Sequence, residues 1–166
     1  MSEAVDLVPD MPDHEQGFAA WVSPHVPAMA RVASRLAAGA DRDDIVQEAL
    51  ARAWVKRRQF DPAQGAPSAW LLAITADQAR KAVRRSRRVA EFVERAEPTP
   101  DRDINIDVER AVARLPRRQR IAVDCFYFAD LSIAETAAVM GCSQGTVKST
   151  LSDARARLRS ELEVAG

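Results

Sequence analysis

The sequence predicts an all-α protein made of two small helical domains joined by an acidic linker. Three observations support this prediction. Apolar residues recur at spacings of three and four in several segments, as they do on one face of a helix. Apolar residues make up 47% of the 166-residue chain and aromatic residues only 5%, which suits Ala-rich packed helices better than β-sheets. Between residues 89 and 107 the periodicity stops and acidic residues and prolines replace it.

The first domain is expected over residues 14–88, after a polar, proline-containing tail over 1–13 that we expect to be disordered. Its first helical segment runs from about 15 to 38. Pro24 and Pro27 lie inside this segment and should break or kink it, because proline donates no backbone hydrogen bond.

Two further helices are expected in the first domain. Asp41 is placed to cap one and Ser68 the other, with a Pro- and Gly-containing loop over 60–67 between them. The three tryptophans lie on apolar stripes and are interpreted as core residues. The last helix runs into a dense basic cluster, formed by Arg80, Lys81, Arg84, Arg85, Arg87 and Arg88.

The second domain, residues 108–166, contains a predicted helix-turn-helix. Ser132 and Glu135 form a capping box, in which each side chain accepts a hydrogen bond from the backbone of the other residue. Gly141 is placed to end that helix in the left-handed conformation, and Ser143 to cap the next one. Two short helices joined by such a turn commonly insert the second helix into the DNA major groove.

The second helix of this motif has one apolar stripe and one polar, basic face. The stripe consists of Val147, Leu151, Ala154, Leu158 and Leu162. The expected DNA-contacting residues lie off the stripe and are Ser143, Gln144, Gly145, Thr146, Lys148, Ser149 and Arg155. An ordinary helical hairpin with a solvated basic face is the alternative, but the cap, turn and stripe all agree with the DNA-binding interpretation.

Charge and cysteine usage limit the possible functions. The chain has 24 basic and 24 acidic residues, so its formal net charge is zero, but the charges are segregated into basic and acidic blocks. Neither Cys125 nor Cys142 belongs to a metal-binding pattern, and we expect no metal and no cofactor. No signal peptide and no membrane-spanning run are evident, which predicts a cytoplasmic protein without membrane insertion.

Two motifs resemble parts of one protein family. Residues 115–120, 131–135 and 141–149 resemble region 4 of the sigma-70 family of bacterial RNA polymerase sigma factors, and its extracytoplasmic-function (ECF) group most closely. Residues 44–49 with Arg52-Ala53-Trp54, then Phe60-Asp61-Pro62 and the Trp70 helix, resemble region 2. The two motifs follow each other in the order and at the separation that the family uses.

The resemblance implies a function and a set of partners. A sigma factor directs core RNA polymerase to specific promoters and aids initiation, so the partners would be the core enzyme, promoter DNA and a separate anti-sigma factor. The residues implied to bind core polymerase are Asp44, Ile45, Gln47 and Glu48. The basic cluster would meet the −10 element, the second helix of the helix-turn-helix would read the −35 element, and the acidic linker would keep nucleic acid out of the polymerase channel.

The chain departs from the family pattern at four positions. Asp77 stands where Asn is usual, and Lys81 where Asp is usual. In the second helix of the motif, Thr150 and Asp153 stand where Arg is common, which removes positive charge near the −35 contact. The promoter sequence therefore does not carry over from the family.

Individual features of the sequence also fit other interpretations. The basic cluster is also compatible with a solvated helix end, and Asp44 and Glu48 with a solvated acidic face. A free-standing helix-turn-helix regulator would usually bind as a dimer, and the sequence offers no obvious dimer seam. The sequence contains no phosphate-binding Gly loop and only two histidines, neither of them in a motif, so neither an enzyme nor a small-molecule substrate is predicted. Whether the two domains pack together is left open.

Overall fold

The computed structural model describes residues 11–90 and 106–165, and within these ranges the chain forms eight α-helices and no β-strand. The N-terminal half contains α1 (Glu15–Val22), α2 (Val26–Leu36), α3 (Arg42–Lys56) and α4 (Pro67–Ala90). The C-terminal half contains α5 (Ile106–Arg114), α6 (Arg117–Val123), α7 (Ile133–Met140) and α8 (Gln144–Ala165). The all-α prediction is confirmed.

Local signals set the ends of the N-terminal helices. The predicted break occurs as a 3₁₀ turn over Ser23–His25 between α1 and α2. Asp41 caps α3, because its carboxylate accepts from the backbone N–H groups of Asp43 and Asp44 at 2.9 and 3.2 Å. The expected Ser68 cap is wrong: α4 begins one residue earlier, at Pro67. Proline is favoured at a first helical position, where no backbone N–H is needed.

Aromatic rings form one end of the N-terminal core. The Trp21 ring makes edge contacts with Phe60 and Trp70, with centroids 5.3 and 6.3 Å apart. Phe18 contacts the Trp54 ring in the same way, at 5.2 Å. Trp21 is buried and the other two tryptophans are half-buried, which agrees with their interpretation as core residues. These rings join α1, α3 and α4 to the loop before α4.

A second core holds the C-terminal half together. Val147, Leu151 and Ala154 of α8 are at most 2% exposed and pack among residues of α5, α6 and α7. Between α6 and α7 the backbone forms a π-helical segment over Asp124–Phe128. Such segments place side chains off the regular helical register. Here the segment buries Asp124 and Cys125 while Tyr127 points outward.

The two halves pack against each other. Helix α7 lies along α4, and the π-helical segment lies on α2. Cys125, Ala129, Leu131 and Val139 of the C-terminal half belong to the same buried apolar cluster as the N-terminal core. The question that the sequence left open is therefore answered: both halves share a continuous apolar contact in this conformation.

Three arginines of the N-terminal half hold the C-terminal half by polar contacts. Arg31 donates from Nε to the carbonyl of Ala129 at 2.8 Å, and Arg80 donates to the carbonyl of Val139. Arg35 has the richest set of partners, which are the carboxylates of Asp124 (2.6 Å) and Glu109 (2.9 Å) and the face of the Phe128 ring (3.9 Å to the centroid). Because these groups are far apart in sequence, they order the two halves relative to each other.

The boundaries of the predicted tail and linker differ from the structure. Met11 packs against the N-terminal core, and Asp13 lies 3.4 Å from the Arg57 guanidinium, so residues 11–13 are ordered where the sequence predicted a tail over 1–13. The ends of the linker predicted over 89–107 are helical, because α4 extends to Ala90 and α5 begins at Ile106. The rest of both predicted segments, including the acidic residues of the linker, lies outside the described residues.

The Arg35–Asp124 pair predicts a pH dependence of stability. Burial raises the pKa of Asp124 above its ordinary 3.8, and Arg35 offsets this only in part. Asp124 therefore binds its proton more tightly in the folded state than in the unfolded state, and protonation of its carboxyl group stabilises the folded state. This contribution is fully present below pH 3.8 and is lost as the pH rises through the raised pKa. Urea unfolding between about pH 7 and pH 4 should show wild type gaining stability relative to Asp124→Asn as the pH falls. A constant difference between the two proteins would contradict this prediction.

Candidate nucleic-acid interface

The first helix and the turn of the helix-turn-helix form as predicted. Glu135 N–H donates to Ser132 Oγ at 3.1 Å, and Ser132 N–H donates to the Glu135 carboxylate at 2.8 Å, so the capping box is complete. Gly141 ends α7 with φ of +63°, a left-handed conformation that residues with a side chain rarely adopt. The turn then sets the direction in which α8 leaves α7.

The N-terminus of α8 is capped and open to solvent. Ser143 Oγ accepts from the backbone N–H of Thr146 at 3.1 Å and lies 2.9 Å from the Thr146 hydroxyl. The buried face of α8 anchors the helix, so its opposite face is turned outward. The seven residues of α8 and its cap that are predicted to contact DNA are all exposed: Ser143, Gln144, Gly145, Thr146, Lys148, Ser149 and Arg155.

Parts of the α8 prediction need correction. The apolar stripe was expected to reach Leu162, but Leu158 is half-buried and Leu162 is 39% exposed. The apolar contact of α8 therefore ends at Leu158, and Leu162 lies outside the C-terminal core. The Ser149 hydroxyl donates to the carbonyl of Thr146 at 3.0 Å, and the Thr150 hydroxyl does the same at 2.7 Å. In this conformation both hydroxyl protons are directed to the helix backbone.

One exposed residue at this surface was missed by the sequence analysis. Tyr127, the chain's single tyrosine, is 49% exposed, and its hydroxyl accepts from Arg155 Nη1 at 3.0 Å. Its outward direction follows from the π-helical segment, which no sequence pattern indicated. The arrangement places an aromatic ring and a hydroxyl beside a basic residue of α8.

The basic cluster, one run in sequence, becomes two stripes on α4. With 3.6 residues per turn, positions 80, 84 and 87 share one face of the helix, and positions 81 and 85 lie on a neighbouring face. The first stripe, Arg80, Arg84 and Arg87, lines a cleft shared with the C-terminal half. The second stripe, Lys81 and Arg85, lies beside α3. Arg88 is exposed near the helix end.

Two of the departures from the family pattern compensate each other. Lys81 Nζ lies 3.1 Å from the Asp77 carboxylate, one helical turn away. A pair at this spacing neutralises the acidic charge that Asp77 would otherwise present. Lys81 is consequently engaged locally in this conformation.

A polar groove separates α3 from α4. It has a volume of about 570 Å³ and includes Asp44, Gln47 and Glu48 on one wall and Gln78 and Arg85 on the other. Asp44, Gln47 and Glu48 are exposed. Ile45 is only 4% exposed and packs into the N-terminal core, but it also lines the groove, so its role in binding stays a prediction. It lies at the floor of the groove and supports the exposed residues.

The two cysteines are the remaining candidates for a functional role, and neither is fully exposed. Cys125 is a free thiol in the contact between the halves, and burial raises its pKa to about 12, so it stays protonated. Cys142 is half-buried in the turn before α8. Among the helices described, none is both long enough and apolar enough to cross a membrane.

Comparison with known families identifies both halves. Residues 15–89 match the family described as Sigma-70 region 2, and residues 106–158 match Sigma-70, region 4. The chain is 33% identical over 150 residues to the ECF RNA polymerase sigma factor EcfG of Rhodopseudomonas palustris, covering 85% of this chain and 82% of the relative. It is 36% identical over 135 residues to the ECF RNA polymerase sigma factor SigM of Mycobacterium tuberculosis, covering 78% and 67%.

Solved structures show the same fold. The sigma factor RpoE of Bartonella quintana, in complex with the anti-sigma factor NepR, has a TM-score of 0.66 and 30% identity to this chain, covering 90% of this chain and 99% of RpoE. CnrH, in complex with the cytosolic domain of CnrY, has a TM-score of 0.66 and 25% identity, covering 93% of this chain and 92% of CnrH.

Proposed function

Because the chain belongs to the ECF group of the sigma-70 family, we propose that three of its exposed surfaces bind the partners of a sigma factor. Two of these surfaces contact promoter DNA and one contacts core polymerase. The protein is an RNA polymerase sigma factor, which directs core polymerase to specific promoters and aids transcription initiation. It acts on core polymerase and promoter DNA, and we place it in the cytoplasm, where both are found. We further propose that a separate anti-sigma factor regulates it, because the similar sigma factor RpoE was solved in complex with the anti-sigma factor NepR.

The exposed N-terminus of α8 is the observation that supports this assignment of surfaces most directly. Its residues are capped and held by a buried face, and they present small, polar and basic side chains to solvent. A recognition helix enters the major groove in this way, with its N-terminal residues foremost. Helix α8 is therefore proposed to read the −35 element and α4, through its basic residues, to meet the −10 element.

Run-off transcription tests the function as a whole. Core polymerase with the purified chain should start transcripts from specific genomic fragments, and core polymerase alone should not. Duplex binding by the chain alone is the second measurement. A free-standing regulator would bind duplex DNA without polymerase, whereas we expect specific binding only by the holoenzyme. Promoter-specific duplex binding that core polymerase does not improve would favour the regulator.

The groove between α3 and α4 is proposed to dock on core polymerase. Gln47 and Glu48 stand exposed over the buried Ile45 and Val46, so their side chains are free for a partner. Replacing both with alanine should weaken binding to core polymerase at least tenfold, because two polar contacts of an interface are removed. Circular dichroism should show unchanged helicity.

The chain provides a matched control for this pair. Glu15 and Gln16 of α1 are also adjacent and exposed, but they lie outside the groove. Their double alanine variant should bind core polymerase as wild type does. Equal affinity of the Gln47→Ala/Glu48→Ala protein and wild type for core polymerase would remove α3 from the interface.

Lys148 is proposed to contact a DNA phosphate. It is exposed on the first turns of α8 and points away from the buried face. A flexible point charge suits a phosphate better than a base edge. Lys148→Ala should reduce the salt dependence of holoenzyme–promoter binding by about 0.9 in the slope of log K against log salt. Lys56→Ala, an exposed lysine of α3, should leave the slope unchanged. A loss of about 1–3 kcal/mol confined to promoters with one particular base would instead assign base reading to Lys148.

A further inference from the structure

A basic cleft lies between the two halves, in addition to the surfaces already assigned. It has a volume of about 540 Å³ and is walled by α4 on one side and α6 on the other, with the end of α2 at its base. Its basic residues are Arg35, Arg80, Arg84, Arg87, Arg117 and Arg120. Among the described residues that line it, Asp124 is the one acidic residue. Four of the six arginines come from the N-terminal half and two from the C-terminal half.

Within residues 11–90 and 106–165, the charges of the cleft are only partly neutralised. Arg35 is paired with Asp124 and Glu109. Arg80 and Arg120 donate to the backbone carbonyls of Val139 and Ala113, which carry dipoles but no net charge. The other three arginines, Arg84, Arg87 and Arg117, are exposed at the mouth of the cleft, and Arg84 donates from Nε to the backbone carbonyl of Arg80 at 3.4 Å. Like charges from both halves therefore face one another, which disfavours the packed arrangement unless an anion lies between them.

We propose that this cleft binds a small polyphosphate, meaning a ligand with two or more adjacent phosphate groups. Guanidinium groups match phosphate oxygens in a bidentate geometry, and a phosphate carries more charge for its size than a carboxylate. The volume lies in the range of small-ligand sites.

The apolar walls favour a nucleoside polyphosphate over an inorganic one. Leu36, Val83 and Ile121 line the cleft among the arginines, and all three are half-buried. A planar base packed on these side chains would bury apolar surface while the phosphates meet the guanidinium groups. Both ligands share the same phosphate chemistry, and the base is the difference that a binding experiment can detect.

Such a ligand would act as a bridge between the two halves. Because its contacts come from α4 and α6 together, it binds the packed arrangement more tightly than a separated one and shifts the population toward it. It also occupies Arg84 and Arg87, which are proposed to contact the promoter; this consequence rests on the proposed function. The expected effect on a sigma factor is a lower rate of initiation at a fixed concentration of core polymerase.

Isothermal titration of the full chain with tripolyphosphate tests the site without polymerase or promoter. Two neighbouring pairs of residues supply matched controls. Arg87 and Arg117 line the cleft, whereas Arg88 and Arg118 are exposed next to them but lie outside it. Arg87→Ala and Arg117→Ala should each weaken binding about tenfold, as expected for one lost charged hydrogen bond, and Arg88→Ala and Arg118→Ala less than twofold.

Several results would overturn the proposal. Absence of tripolyphosphate binding at moderate salt is one, and equal losses in the cleft and control variants are another, since these indicate general attraction to basic charge. A single-stranded oligonucleotide or a Glu-rich peptide that binds more tightly, with the same dependence on Arg87 and Arg117, would assign the cleft to a different partner.

Titrations with two further ligands, guanosine triphosphate and adenosine triphosphate, complete the experiment. Guanosine or adenosine triphosphate binding more tightly than tripolyphosphate supports the nucleoside form, and equal affinity supports the inorganic form. Because binding is measured on the chain alone, a negative result leaves run-off transcription unaffected. Normal transcription together with absent binding would reject the cleft ligand while retaining the sigma-factor function.

Discussion

Replacing Leu151 with alanine is expected to destabilise the C-terminal half by about 2–5 kcal/mol, which is the usual cost of removing a large buried aliphatic side chain. Leu151 is 2% exposed and lies in the core that joins α8 to the other helices of this half. The variant should unfold at lower urea concentration and bind every promoter more weakly, because the whole recognition helix loses its support. Urea unfolding followed by circular dichroism gives the free energy, and holoenzyme binding to two unrelated promoters gives the functional effect.

The same helix contains the control. Leu162 is 39% exposed near the end of α8, beyond the core that holds Leu151. Leu162→Ala should change the free energy of unfolding by no more than about 0.5 kcal/mol, as expected for an exposed position. Similar losses for the two leucines would mean that α8 is anchored along its length, contrary to the packing described above.

Replacing Arg35 with alanine is expected to open the contact between the two halves, at a cost of about 3–5 kcal/mol in the packed arrangement. The expected loss of stability is large because the substitution leaves the buried carboxylate of Asp124 without its partner. Asp124 is 6% exposed, and without the guanidinium its carboxylate would stay buried next to Glu109, which is also negative. The stacking of the guanidinium on the Phe128 ring would be lost as well.

Two measurements separate opening from unfolding. Small-angle scattering should show a larger radius of gyration for Arg35→Ala, whereas circular dichroism should show nearly the same helix content as in wild type. Adding Asp124→Asn to Arg35→Ala should restore part of the stability, because the unpaired charge is removed. Arg42→Ala, which breaks only an exposed contact with Asp43, should change neither measurement. A compact Arg35→Ala protein with wild-type stability would show that the apolar contact alone holds the halves together.

Features set by neighbouring residues were predictable from the sequence. The Asp41 cap, the break at Pro24, the capping box of α7 and the left-handed Gly141 each depend on contacts within about four positions of the chain. The same holds for the exposure of the α8 residues, since helical periodicity determines which side of a helix is apolar. One local signal was misjudged, because Pro67 competes with Ser68 for the start of α4 and is well suited to the first position.

Features that depend on distant parts of the chain were not predictable. The basic cluster was one run in sequence, and only the position of the C-terminal half assigns Arg80, Arg84 and Arg87 to a cleft and leaves Lys81 and Arg85 beside α3. The outward direction of Tyr127 depends on the π-helical segment, which no spacing indicated.

The sequence by itself determined the all-α class, the helix-turn-helix and the family, because caps, turns and apolar stripes depend on short stretches of residues. Only the tertiary structure decided that the two halves share one apolar contact and that Arg35 lies between Asp124 and Glu109. Arg35 is 89 positions from Asp124 and 74 from Glu109 in the chain. A pairing across such separations depends on the three-dimensional course of the whole chain, and no local pattern of residue types encodes it.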